Sequence, residues 1–396
     1  MALPSSEHFR HLAQEGDVIT AAIWGADVAP FYEGLNPVGK VLHYRSIPKD
    51  ILAKAKTKMS ALDIYLKTGG AIVADHQPYN QIVADGLLNE PCNFVPMADI
   101  ITHLLAGKDL VRQSVAHNPV MLQTLGLLSD KAEQVYQTLC GMPLHSLRPN
   151  ELYVVGQILT ARNEEELTER HVVLCTHDSV MSRMVGFAQC PVVVWTGTHI
   201  GIAVRNDDCQ PSQETFEADI CFEGSKAVSR AAITNVAMLG HVYKELLRQW
   251  GYDYKMVGES LLILSSKVRP FNLKDMPLDM QDPQPSIRWL LAEYSSLEKA
   301  AVALIKTAAF ACHLQIKKTA NVLKIPRIKK IAVTGGWARN PLFMQELSKI
   351  YEIKETPSSG DATHIGLAAA ALIEVEDVKT YEEAFAMLSE CCSNDC

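Results

Sequence analysis

Residues 171–204 read HVVLCTHDSVMSRMVGFAQCPVVVWTGTHIGIAV, and their pattern decides the fold. An apolar run from His171 to Cys175 stops at Thr176-His177-Asp178-Ser179, a segment with helical spacing follows, and a second apolar run from Val192 to Trp195 stops at Thr196-Gly197-Thr198-His199. The spacing predicts two buried strands, each finishing in a polar tip. In α/β sheets ligands meet the chain just beyond the strand ends, so both tips can face one cleft.

The two tips suit different chemistry. Asp178 is the only carboxylate on the first. A carboxylate there can accept the proton of a substrate hydroxyl while that oxygen attacks phosphorus. On the second tip, Gly197 lets the backbone approach an anion, and the Thr196 and Thr198 hydroxyls with neighbouring N–H groups can donate to it. The plainer reading is a helix N-cap at His177-Asp178-Ser179 and a hairpin turn at Thr196-Gly197-Thr198. These residues alone leave both readings open.

A chain of 396 residues is long for one core and reads as two domains. With 48% apolar residues a large core is available. A net charge of −8 and the absence of a dense Lys/Arg stripe argue against a nucleic-acid partner; Lys54, Lys56, Lys58 and the pair Lys317-Lys318 read as solvated helix faces. Anionic substrates would then rely on helix N-termini. The ten cysteines form no CxxC pair, so neither a zinc site nor a disulfide framework is indicated, and reduced thiols in a cytoplasmic protein are expected. No signal-peptide pattern opens the chain, and no uninterrupted apolar run reaches the ~18 residues of a membrane span, so no membrane partner is expected.

Along the chain, residues 1–15 read as a polar amphipathic helix and 17–23 as a strand running into Trp24-Gly25-Ala26-Asp27. Residues 31–44 read as a hairpin ending in His43-Tyr44-Arg45. Residues 51–139 turn helical, with a break at Thr68-Gly69-Gly70 and helices at 51–67, 80–88, 96–106 and 119–125. The charged run 163–170 is the candidate domain boundary. Beyond the opening stretch, helices are expected at about 229–250, 255–266 and, as one long helix, 286–323. A strand at 328–333 runs into Thr334-Gly335-Gly336-Trp337-Ala338-Arg339-Asn340-Pro341 and a helix to about 350; strand, glycine pair and helix together bring backbone close to a nucleotide. A small-residue helix at 365–373 and a tail helix at 381–388 close the chain.

Taken in order, these segments resemble one family, the FGGY carbohydrate kinases, and within it the rhamnulokinase branch. Ala22-Ile23-Trp24-Gly25-Ala26-Asp27 and His43-Tyr44-Arg45 are similar to the sugar-facing Trp-Gly-Val-Asp strand and its Tyr-Arg-Asp sequel. Val95-Pro96-Met97-Ala98-Asp99 and Leu104-Leu105-Ala106-Gly107 resemble the Ile-Pro-Asp and Leu-Leu-Thr-Gly pieces. His177-Asp178-Ser179 resembles His-Asp-Thr, and Thr196-Gly197-Thr198 the phosphate-binding Ser-Gly-Thr. Asn235 resembles the asparagine of a sugar-reaching helix, Pro270-Phe271-Asn272 with Asp275-Met276-Pro277 a family loop, and Gly335-Gly336 to Asn340 the adenosine-binding Gly-Gly-Gly segment.

The resemblance implies an α/β chain with the actin-like ATPase (ribonuclease H-like) fold, two domains around a central cleft: 1–167 on the sugar side and 168–396 on the nucleotide side. It implies ATP with Mg²⁺ and a ketose of the L-rhamnulose or L-fuculose kind as ligands. Asp178 would be the catalytic base. Trp24, Gly25, Asp27, His177, Ser179 and Asn235 would bind sugar; Thr196, Gly197, Thr198, Tyr243, Gly335, Gly336, Trp337 and Asn340 would bind nucleotide; no residue is assigned to a metal.

Departures from the family pattern are equally informative. The family opens with a strand hairpin carrying Asp-Gly-x-(Ser/Thr)-(Ser/Thr), and this sequence has no counterpart, which implies an incomplete first domain and an uncovered sheet edge inviting a partner or a homodimer. Trp337 stands where the third glycine is expected and would either stack on adenine or fill its pocket. Tyr243 stands where the rhamnulokinase branch has a glutamine, and Ser46 replaces the acid of Tyr-Arg-Asp. These departures support a second reading: a catalytically silent sugar- or nucleotide-binding relative, or a truncated kinase needing a partner segment. A structural ATPase of the actin or heat-shock kind would leave the sugar-side segments unexplained.

Overall fold

Short β-branched runs separated by helical stretches build a mixed α/β chain. A computed structural model describes residues 18–20, 28–31, 60–67, 70, 93–96, 158–163, 168–173, 178–206, 208–223, 231–251, 258–279, 282–354, 362–375 and 378–394. In chain order the elements are β1 (Val18–Thr20), β2 (Val28–Phe31), α1 (Ala61–Lys67), β3 (Asn93–Pro96), β4 (Ile158–Asn163), β5 (Thr168–Val173), α2 (Asp178–Phe187), β6 (Val192–Thr196) and β7 (Ile200–Arg205). They continue with α3 (Gln213–Glu217), β8 (Ile220–Glu223), β9 (Ala231–Ala237), α4 (Leu239–Trp250), α5 (Gly258–Leu264), α6 (Gln284–Tyr294) and α7 (Leu297–Val322). The last are β10 (Lys330–Gly335), α8 (Pro341–Ser348), β11 (Glu352–Lys354), α9 (Ala362–Val375) and α10 (Tyr381–Asn394). Two compact units interleave along the sequence: Met1–Met181, Asn206–Ala232 and Thr363–Cys396 form the first, Ser182–Arg205 and Ile233–Ala362 the second. The chain first enters the second unit inside α2, downstream of the charged run at 163–170.

In the first unit β1 lies parallel to β5, with Val18 opposite His171, and β4 lies antiparallel to β5, with Asn163 opposite Thr168. At the two ends of the charged run, Arg162 of β4 stands opposite Glu169 of β5 in this pair. β2 pairs antiparallel with β3, Val28 opposite Pro96. That partner lies far along the chain, a pairing that periodicity within 31–44 does not signal, and Pro96 ends a strand where a helix start was expected.

The expected break after α1 is present. Gly70 has φ of +90° and its N–H donates to the Tyr65 carbonyl at 2.8 Å, a left-handed helix stop that suits glycine. The Tyr65 hydroxyl donates to the Ile220 carbonyl at 2.5 Å and lies 2.9 Å from Thr215 Oγ1. Burial pushes that phenol well above its ordinary pKa. Thr215 belongs in turn to a capping box with Ser212 that starts α3.

In the second unit the sheet runs β11-β10-β6-β7-β9. β11, β10 and β6 are mutually parallel, whereas β6 and β7 form an antiparallel hairpin. Register assigns the faces: Val193 and Trp195 share one with Ala332 and Thr334 of β10 and with Gly201 and Ala203 of β7. Helix α2 covers this face, because a Cβ at Gly186 would press into the Val193 side chain and lie 3.2 Å from Thr334 Cγ2.

Two helical expectations are corrected here. Residues 231–237 form strand β9, and α4 begins only at Leu239. Ala-Ala-Ile-Thr-Asn-Val-Ala carries an alanine pair that reads as helical, yet its β-branched Ile, Thr and Val suit a buried strand. The single helix expected over 286–323 is two. Ser295 takes a left-handed conformation with φ of +59° that stops α6, and the Ser296 side chain accepts from Lys299 N at 3.2 Å to start α7. Among the described residues α7 alone is long and apolar enough to cross a membrane, but its apolar residues from Ala300 to Ile305, with Ala308, Cys312 and Ile316, lie buried in the unit's core. Its Lys306 ammonium donates to the Ser265 and Val268 carbonyls at 2.9 and 2.8 Å, tying the turn after α5 to the helix.

Candidate active site

Parallel strands bring their C-terminal ends together, and here Thr196 of β6 stands in register with Gly335 of β10. The approach is backbone on backbone. Gly335 has φ of +87°, and a Cβ on it would run into the Thr196 carbonyl oxygen. Only glycine meets both demands. The buried Thr196 hydroxyl donates to the Thr334 carbonyl at 2.6 Å and accepts from Trp337 N at 3.0 Å. It is thus committed to joining the two strand ends, and its single proton is not free for an anion in this arrangement.

Beyond Thr196 the chain turns back as the β6–β7 hairpin, closed by Gly197 N donating to His199 O at 2.9 Å. Gly197 and Thr198 are exposed at the tip. A third element arrives from the side: a Cβ on Gly240 would collide with the Gly197 carbonyl, so the first turn of α4 lies directly against the hairpin. Met238 precedes that helix and, among the described residues, no side chain caps it. An uncapped N-terminus of a twelve-residue helix presents donor N–H groups and the positive end of the helix dipole next to the exposed tip.

On the other side of Gly335 lies an aromatic cluster. Trp337 is 1% exposed, Tyr243 0% and Phe343 0%. The Trp337 ring centroid lies 5.0 Å from that of Tyr243 and 5.3 Å, edge-on, from that of Phe343. Asn340 joins the cluster to α8: its Nδ2 donates to the Tyr243 hydroxyl at 3.1 Å, and its Oδ1 accepts from Leu342 N and Phe343 N, each at 3.1 Å. Asn340 is the N-cap and Pro341 the first helical residue, an arrangement that starts α8 sharply. Burial raises the Tyr243 phenol to about 12, against the opposing hydrogen bond from Asn340. The Trp337 ring is packed among protein groups.

Thr196, Gly197, Thr198, Tyr243, Gly335, Trp337 and Asn340 are thus brought together, with Gly336 exposed between Gly335 and Trp337. Asn235 lies exposed on β9 rather than on a helix. Asp178 and Ser179 begin α2. Trp24, Gly25, Asp27 and His177 lie outside the described residues. Gly240 escaped the sequence reading, which set it inside a helix over about 229–250, where an isolated glycine is itself a sign of a packing constraint. Among the described residues no group of three His, Cys, Asp or Glu side chains could hold a metal ion.

No family model matches this chain, and no curated protein does. Solved structures do. Gluconate kinase from Lactobacillus acidophilus is similar with a TM-score of 0.69 at 13% identity, over 96% of this chain and 79% of that one. Plasmodium falciparum glycerol kinase with ADP gives 0.68 at 12%, over 93% and 77%. A carbohydrate kinase from Novosphingobium aromaticivorans gives 0.59 at 16%, over 97% and 88%. The likeness extends over nearly the whole chain and establishes the fold, the actin-like ATPase fold of the sugar kinases.

Proposed function

We propose that this protein is an ATP-dependent sugar kinase acting on a ketose of the L-rhamnulose kind. The observation that carries the proposal is the anion cradle at the end of β6: an exposed Gly197-Thr198 tip against which an uncapped helix N-terminus is packed so closely that only glycine fits at position 240. The likeness to kinases of gluconate, glycerol and other carbohydrates supports the substrate class.

In this reading the Thr198 hydroxyl and the first amides of α4 hold the phosphates of ATP, donating hydrogen bonds where charge accumulates during transfer. The open space above Gly197 fits that role, since a Cβ there would meet nothing nearer than the His199 carbonyl at 3.9 Å. Mg²⁺ would neutralise charge on those phosphates, and it enters this reading as their partner rather than as the guest of a protein site. Asp178, at the start of α2, takes the proton of the sugar hydroxyl as its oxygen bonds to the γ-phosphorus, the bond to the bridging oxygen breaks, and ADP leaves. Trp24, Gly25, Asp27, His177, Ser179 and Asn235 are proposed to grip the sugar. Tyr243, Gly335, Gly336, Trp337 and Asn340 are proposed to form the wall of the nucleotide site. A cytoplasmic location, small-molecule partners only, and a second copy as the one macromolecular partner complete the proposal.

A second reading, a silent sugar- or nucleotide-binding relative or a kinase that needs a partner segment, draws on Trp337, which stands where the resemblance expects the third glycine of the adenosine-binding segment and whose ring is buried. Purified protein with ATP, Mg²⁺ and a panel of ketoses separates the two. ADP release stimulated by one sugar supports the kinase. Calorimetric sugar binding with no stimulation by any sugar supports the silent relative.

A further inference from the structure

Helix α2 carries one cation on its sheet-facing side, and its placement is unusual. Arg183 is 3% exposed, although arginine is almost never fully buried unless a partner holds it. Its guanidinium carbon lies 4.9 Å from the Trp195 ring centroid, inside the ~6 Å reach of a cation–π contact. The geometry points to Arg183 as a positioning residue: stacked on Trp195, it holds α2 on β6 and fixes where the helix's first turn, which begins at Asp178, stands relative to the strand that ends at Thr196. The catalytic consequence rests on the kinase reading, whereas the clamp itself is a property of the fold.

Three further features make this stack a fixed point. Trp195 cannot slide sideways, because its six-membered ring lies over Gly201, where a Cβ would strike the ring. Helix α2 cannot ride higher without losing the close seat of Gly186 on Val193 and Thr334, which share the Trp195 face of the sheet. The residue after Trp195 is Thr196, whose hydroxyl ties β6 to the β10 turn through Thr334 O and Trp337 N. Arg183 thus grips the strand two residues before the Gly197-Thr198 tip.

Gly186 is the second hold, eight positions from Asp178, or about 12 Å along a helix axis at 1.5 Å per residue. Without Arg183, a tilt of about 10° around Gly186 would displace the first turn by about 2 Å. A misplacement of about 1 Å can cost about a hundredfold in rate. The expected effect therefore falls on kcat, while KM for ATP, whose proposed binding groups lie outside α2, stays within about twofold.

The test compares wild type with Arg183→Met, which keeps length and loses charge, and Arg183→Lys, which keeps a cation over the ring. Hydrogen exchange is followed across the whole chain, and kcat and KM are measured with ATP and the best ketose. The expected result is exchange at least about tenfold faster over 178–187 in Arg183→Met, little change elsewhere, kcat lowered at least about tenfold, and substantial recovery of both in Arg183→Lys. Unchanged exchange over 178–187 in Arg183→Met, or loss of protection spread evenly through the unit, overturns the clamp. If wild type turns over no ketose, the kinase reading fails, and exchange over 178–187 decides the clamp by itself. If turnover is present and Arg183→Met changes exchange but leaves kcat intact, the positioning role is overturned while the kinase reading stands.

Discussion

Replacing Trp337 by alanine separates the two things this residue does. Its backbone N–H, which donates to Thr196 Oγ1 at 3.0 Å, survives the change, so the junction between β6 and β10 keeps its hydrogen bond. What is lost is a ring only 1% exposed, packed on Tyr243 and Phe343. Removing a buried tryptophan costs about 3–5 kcal/mol, and two aromatic contacts of about 0.5–1.5 kcal/mol each place this site in the upper part of that range. If the space lies in the nucleotide site, ATP can enter the room the ring leaves, and at a hundredfold excess over its Kd a ligand returns about 2.7 kcal/mol. The assay is chemical denaturation of wild type and Trp337→Ala with and without ATP. The expected outcome is a large loss without nucleotide, and a recovery on adding ATP that exceeds the gain ATP gives wild type. A loss below about 2 kcal/mol, or an ATP-induced gain no greater than in wild type, refutes the placement of this cluster in the nucleotide site.

Two other changes probe the same junction. Gly240→Ala should raise KM for ATP about tenfold, roughly 1.4 kcal/mol, because a Cβ there pushes α4 away from the Gly197 carbonyl; steady-state kinetics with varied ATP checks this. Tyr243→Phe leaves Asn340 Nδ2 without its acceptor and should cost about 1–3 kcal/mol in urea denaturation at neutral pH. That variant also changes the alkaline limb. With the folded phenol raised from 10.0 to about 12, the unfolded chain loses its proton first, so this group's contribution is whole below pH 10 and falls as pH rises towards 12. Denaturation between pH 9 and about 11.5 should show a shallower decline in Tyr243→Phe than in wild type.

Much of this site was legible because its residues carry local signals. A glycine pair after an apolar run marked the β10 turn, and Asn340-Pro341 marked the start of α8, which the Asn340 cap confirms in its hydrogen bonds. Of the two readings of Thr196-Gly197-Thr198, the structure shows the hairpin turn, with Gly197 and Thr198 exposed at its tip, while the Thr196 hydroxyl that the anion reading used as a donor is spent on the Thr334 carbonyl. What escaped depends on distant partners. The antiparallel partner of β2 comes from 93–96, and the value of Gly240 lies in a carbonyl on another element. Arg183 reads as an ordinary helix charge until Trp195 is placed beneath it. The stop at Ser295 was hidden by an apolar stripe that continues at helical spacing on both sides of it.

The central claim is that a sugar hydroxyl receives the terminal phosphoryl group of ATP with Asp178 as the base. Phosphorus NMR of the protein with ATP, Mg²⁺ and L-rhamnulose or a related ketose, run beside Asp178→Asn, tests it directly. The account predicts a sugar-phosphate ester and ADP growing in equal amounts with wild type, and a rate lowered by about 10²–10⁴-fold in Asp178→Asn with calorimetric sugar affinity kept. No ester from any ketose, or ester formed by Asp178→Asn at the wild-type rate, contradicts it.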